Sequence, residues 1–121
     1  MGETNEIPEP AKPKPAATII LMRDGGGGLE VLMLKKAQGQ HFAAGAMVFP
    51  GGKLDPKDIA FVEANRDKKD VHVSLKVAAI REMYEECGIL LARLAGSERV
   101  ISSAEAAEIR TANADGAILD L

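Results

Sequence analysis

The stretch Arg81–Ile89 reads REMYEECGI and leaves little freedom for what it can become. Glu82, Glu85 and Glu86 stand three, four and one residues apart, so on a helix they share one face. Val77, Ile80, Tyr84 and Cys87 recur at spacings of three and four and make an apolar stripe on the opposite side. Gly88 falls where a helix C-cap belongs. The pattern therefore predicts an amphipathic helix from Ser74, closed by Gly88. Like charges at this spacing cost roughly 0.2–0.5 kcal/mol per pair when merely solvated. A hard divalent cation reverses that sign, since Mg²⁺ takes a few carboxylates and fills its shell with water and phosphate oxygens. Arg81, next to Glu82 and four before Glu85, is placed to hold a carboxylate by a charge-assisted bond. Three glutamates alone more often mean a solvated helix face, so the surrounding pattern has to decide.

Composition narrows the classes. The chain has 121 residues, 46% of them apolar, enough for one domain with a modest core. Its net charge of −3 gives no support for a nucleic-acid binder. The one cysteine, Cys87, permits no internal disulfide, and a reducing compartment follows as the expectation. No apolar run reaches the length of a membrane span. The start, MGETNEIPEPAKPKP, has acids and prolines where a signal peptide needs a basic end and an apolar stretch. The expected location is cytoplasmic, away from membranes.

Along the chain, residues 1–16 read as a disordered or extended proline-rich tail, and 17–121 as the domain. Residues 17–24 and 29–36 are strand candidates joined by the turn Gly25–Gly28, a hairpin pattern. That glycine run opens a strand rather than a helix, so it is not a phosphate-binding loop. Residues 37–45 read as loop, 46–49 as a short strand ended by Pro50-Gly51-Gly52, and 53–58 as more loop. Residues 59–73 are ambiguous. Residues 89–95 suit a buried strand or more helix. Ser102 and Glu105 have capping-box spacing, which predicts a short helix over 102–113. Cys87 lies on the apolar side near a helix C-terminus, where the dipole disfavours a thiolate, so it reads as packing.

Arg81, Glu82, Met83, Glu85, Glu86, Gly88 and Ile89 match each specified position in the second half of the Nudix box. Gly52, in FPGGKLD, supplies the loop glycine of the first half. The chain thus resembles the Nudix hydrolase family. The resemblance implies an α/β fold, a mixed β-sheet between helices, with the box as loop–helix–loop. It implies Mg²⁺ or Mn²⁺ held by Glu82, Glu85 and Glu86, and catalytic roles for Glu82, Glu85 and Arg81. It implies a small-molecule nucleoside diphosphate substrate, attacked at phosphorus by a metal-activated water. Substrate contacts are expected from Gly51, Gly52, Lys53, Lys36 and His41. The resemblance is clear over about 17–95, and the family continues past the region that Leu121 reaches, so a domain incomplete at its C-terminal side is expected.

The box is interrupted. Its standard form has a glutamate six residues after the glycine and eight before the arginine. Here the first count lands on Asp58 and the second on Val73, fifteen residues further on. The insertion resembles a subgroup of coenzyme A diphosphatases, and Asp55 or Asp58 stands in for the missing glutamate. Upstream, coenzyme A-cleaving relatives carry two arginines and a serine at fixed distances before FPGG. Here those positions hold Lys36, His41 and Ala37, while Gly45 is kept. Lysine meets a phosphate as a point charge without the arginine fork. His41 reads more readily as a loop residue than as a base. The same stretch also suits an ordinary strand running into a polar loop.

Coenzyme A or an acyl derivative is therefore the first-choice substrate. A nucleotide sugar or dinucleotide is the second. A non-catalytic module that binds a nucleotide or a partner protein is the third, from a different class. The intact glutamates favour catalysis. A homo-oligomer remains open.

Overall fold

A computed structural model describes residues 7–37, 45–66 and 69–112. The order is β1 (Ala16–Thr18), β2 (Met22–Gly25), β3 (Gly28–Val31), β4 (Leu34–Lys35), β5 (Met47–Val48), β6 (Gly51–Lys53), α1 (Pro56–Arg66), α2 (Val71–Cys87) and α3 (Ser103–Ala112). The expected sequence of strand, strand, glycine segment and acidic helix is present. Among the described residues the strands form three two-stranded antiparallel sheets, β1 with β6, β2 with β3 and β4 with β5.

Two expected long strands are each split. Residues 17–24 divide into β1 and β2, and 29–36 into β3 and β4. At the first break the Ile19 N–H donates to the Pro50 carbonyl, turning the chain from one partner to another. The expected hairpin is there, with Gly25 opposite Gly28 and Met22 opposite Val31. The end of the tail is tied down as well, because Ala16 pairs with Lys53 and the Leu54 N–H reaches the Pro15 carbonyl.

The segment read as a terminating PGG and then loop is instead strand β6. Glycine is a poor strand former, but β1 needs one here. A Cβ on Gly51 would run into the Ala17 carbonyl oxygen and the Thr18 backbone. Residues 59–73, ambiguous in sequence, contribute most of α1. Asp55 caps it by accepting from the Lys57 N–H at 2.8 Å, Pro56 opens it, and Asp58 reaches back to the Asp55 N–H at 2.8 Å. This is a reciprocal cap with Pro at the first helical position.

Helix α2 begins at Val71, three residues before the expected Ser74. Asp70 explains the difference, since its Oδ1 accepts from His72 N–H (3.0 Å) and Val73 N–H (3.2 Å). The Val73 bond above all holds the Asp70 carboxyl below its usual range. The other end agrees with expectation. Gly88 is left-handed, φ 71°, and its N–H caps the Tyr84 carbonyl. Residues 89–95 form neither strand nor helix, apart from a bridge between Arg93 and Val100. The predicted capping box of α3 is made in both directions, Glu105 N–H to Ser102 Oγ at 3.2 Å and Ser102 N–H to Glu105 Oε2 at 2.8 Å.

The core is small. Tyr84, Leu90 and Ala106 form its centre, with Ile80, Ala92, Ile101 and Ile109 packed around them. Val62, Ala78 and Met83 are buried where α2 meets α1 and the β1–β6 pair. The apolar side of α2 thus points into protein, leaving its acidic side to β6. No helix among the described residues is long and apolar enough to cross a membrane.

Candidate active site

The site is organised around Arg81. Its Nε donates to Asp58 Oδ1 at 2.8 Å and its Nη2 to Asp58 Oδ2 at 3.1 Å, a two-bond pair with a carboxylate that is fully buried. Its Nη1 donates to Glu82 Oε1 at 3.1 Å and to Glu85 Oε2 at 3.0 Å. Nη2 also meets the Lys53 carbonyl of β6 at 3.3 Å. One guanidinium therefore joins α1, α2 and β6 and fixes two of the three expected carboxylates. The Asp58 bonds, more than any other contact, hold the Arg81 guanidinium firmly in its charged form.

The two aspartates left open by the sequence have different partners here. Asp58 is the partner of Arg81, and Asp55 is spent on capping α1. The count of six from Gly52 lands on Asp58, but the sequence left Asp55 equally open. What the sequence did not show is that the inserted segment is a helix delivering that carboxylate.

Glu86 faces β6, where its Oε2 accepts from the Gly51 N–H at 3.3 Å. Burial pushes its carboxyl upward, the charges of Glu82 and Glu85 push the same way, and the Gly51 N–H and Lys36 oppose them. Lys36, expected as a substrate contact, is thus brought to the acidic cluster. Lys53 is exposed, with only its carbonyl bonded to Arg81. Gly51 gives its N–H to Glu86. On Gly52, the position of a Cβ is filled by the Glu82 carboxylate. His41 lies outside the described residues. Cys87 is half-buried beside Glu86, and burial first and that charge second raise its thiol pKa, in keeping with a packing role.

Among the described residues no three acidic, histidine or cysteine side chains already close around a single point. The donor chemistry nonetheless fits a hard cation. Glu82, Glu85 and Glu86 each commit one oxygen to Arg81 or Gly51. Oxygen ligands of this kind suit Mg²⁺ or Mn²⁺, which draw their remaining ligands from water and substrate.

A glycine strand, an acidic helix laid over it and a buried arginine between them lie at the centre of this α/β domain. The NUDIX domain family model matches residues 12–110, and the chain belongs to the Nudix family. It is 37% identical over 60 residues to a Caenorhabditis elegans protein named "Putative nudix hydrolase 7", an overlap of 50% of this chain and 17% of that one. It also resembles the crystal structure of a NUDIX hydrolase from Alicyclobacillus acidocaldarius, with TM-score 0.62 and 31% identity, over 85% of this chain and 50% of the other. The chain spans half or less of the length of these relatives. Their fold is the α/β class expected from the sequence. Nudix hydrolases act with divalent metal ions on small nucleotide substrates.

Proposed function

We propose that this chain carries the catalytic helix of a Nudix hydrolase that cleaves the pyrophosphate bond of a nucleoside diphosphate linked to a second moiety. The observation that carries the reading is the single guanidinium of Arg81 holding Glu82 and Glu85 while Glu86 is braced by Gly51. Mg²⁺ or Mn²⁺, when bound by Glu82, Glu85 and Glu86, offsets the charge of the pyrophosphate and acidifies a water molecule. Arg81 keeps Glu82 and Glu85 aimed. Glu85, the more exposed of the two, takes the proton of the attacking water as the water oxygen bonds to phosphorus and the bridging P–O bond breaks. Gly51, Gly52 and Lys53 form the floor that the diphosphate approaches, with Lys36 beside Glu86 as a positive point charge.

Coenzyme A or acyl-CoA is the first-choice substrate, supported by the spacing of Lys36, His41 and Gly45 before the FPGG segment. With lysine and histidine in place of two arginines, turnover of coenzyme A is expected with a raised KM. Lys36→Arg with His41→Arg should lower KM and leave kcat nearly unchanged. The test is incubation with Mg²⁺ and coenzyme A, looking for 3′,5′-ADP and 4′-phosphopantetheine. Cleavage of nucleotide sugars or dinucleotides with none of coenzyme A would replace the substrate and keep the hydrolase. Tight nucleotide binding with no cleavage of any of them would replace the hydrolase by a binding module. A cytoplasmic location is part of the same reading, supported by the single cysteine.

A further inference from the structure

The two adjacent glycines of β6 are required for different reasons, because successive residues of a strand face opposite ways. A Cβ on Gly51 would strike backbone, the Ala17 carbonyl oxygen and the Thr18 Cα (2.8 Å), which cannot move without opening the β1–β6 ladder. A Cβ on Gly52 would strike no backbone. It would meet the Oε1 and Cδ of Glu82, and Cγ at 3.1 Å, all of them side-chain atoms. The same Oε1 accepts from Arg81 Nη1 at 3.1 Å. The Glu82 side chain is only 18% exposed, so its carboxylate sits in a slot walled by Arg81 and by the bare face of Gly52.

We infer that Gly52 is a positioning residue for Glu82, its missing side chain setting where that carboxylate stands. This rests on the metal-binding reading above and assigns Gly52 a role other than touching substrate. A methyl group there leaves the ladder intact, because Glu82 is flexible and can swing aside. It does so by giving up the Arg81 bond and the place from which it would reach a cation. Displacing a group that orients a metal-binding carboxylate typically weakens metal affinity by about 10–100-fold.

The test compares wild type, Gly52→Ala, Glu82→Ala and the double variant, with Gly51→Ala as a fold control. Mn²⁺ affinity is measured by calorimetry, thermal unfolding without metal, and the Glu82 carboxyl ¹³C resonance in metal-free protein. Gly52→Ala should weaken Mn²⁺ binding about tenfold or more, shift the Glu82 resonance, and keep a near-native melting temperature. Gly51→Ala should lose stability outright. In the Glu82→Ala background, Gly52→Ala should cost no further affinity. Equal Mn²⁺ affinity of wild type and Gly52→Ala overturns the inference, as does the same loss in both backgrounds. Parallel destabilisation by both glycine variants overturns it too. If wild type binds no Mn²⁺, the metal reading fails, and the ¹³C shift alone decides the positioning role: an unmoved Glu82 signal ends it.

Discussion

Asp58 and Arg81, 23 residues apart in sequence, meet in a buried two-bond ion pair at 2.8 and 3.1 Å, and that pair ties the inserted helix to the acidic one. The arginine then spends its third nitrogen on Glu82 and Glu85. Order in the carboxylate cluster thus depends on a residue that never reaches the surface.

Removing the charge of Asp58 should show it. Asp58→Asn leaves a buried guanidinium half-compensated, and breaking such a pair from one side costs roughly 3 kcal/mol. Urea unfolding should record that loss. Turnover should fall further than the remaining folded fraction explains, because Glu82 and Glu85 lose a fixed neighbour. A stability change under about 0.5 kcal/mol would mean that the pair is dispensable.

The acidic face itself is tested by cation titration. Wild type should bind Mn²⁺ and become more heat-stable with it, since a ligand of the native state alone stabilises by mass action. Glu85→Gln with Glu86→Gln should remove most of that affinity. Equal binding by both proteins would detach the metal from this helix.

Gly88 has φ 71°, a left-handed conformation. Gly88→Val forces a β-branched residue into it and should cost about 1–2 kcal/mol. Gly88→Asn, which tolerates that region, should cost clearly less. Chemical denaturation of the two side by side checks the order, and equal costs would contradict a conformational origin.

Helix α3 carries a pH signature. Arg99 donates two bonds to Glu105, and this pair, with the Ser102 contacts, lowers the Glu105 pKa from 4.5 to about 2. A depressed carboxylate binds fewer protons folded than unfolded. Its contribution is therefore fully present above about pH 4.5 and is lost as pH falls toward 2. Glu105→Gln should flatten the acid limb of the stability curve in that window, and an unchanged limb would assign acid unfolding to other groups.

Some of this was plain in the sequence because it is local. The capped, striped α2 and the capping box of α3 are written in neighbouring residues, and Gly88 marks its own conformation. Helix α1 was not legible. Its buried residues are Asp58 and Val62, so a carboxylate takes a position where periodicity looks for an apolar side chain. Strand β6 was hidden for a related reason. Gly51 and Gly52 look like a chain break, and only the approach of β1 on one side and Glu82 on the other makes a strand of them. Both depend on partners distant in sequence. The split of the early strands at Ile19 likewise follows from a bond to Pro50 that no local pattern announces. The acidic site was legible as composition and spacing, whereas its wiring through Asp58 was open until the fold paired it with Arg81.

The β2–β3 hairpin has a consequence for handling the protein. Met22 and Val31 stand opposite each other with 59% and 44% of their surface in solvent, Leu29 follows on the same face at 68%, and among the described residues neither strand has a second neighbour. An apolar face beside two unsatisfied strand edges is sticky when warm and concentrated. Turbidity on heating should therefore rise steeply with concentration and start below the unfolding midpoint. A lysine in place of Val31 should clear the solution without touching the acidic helix at all.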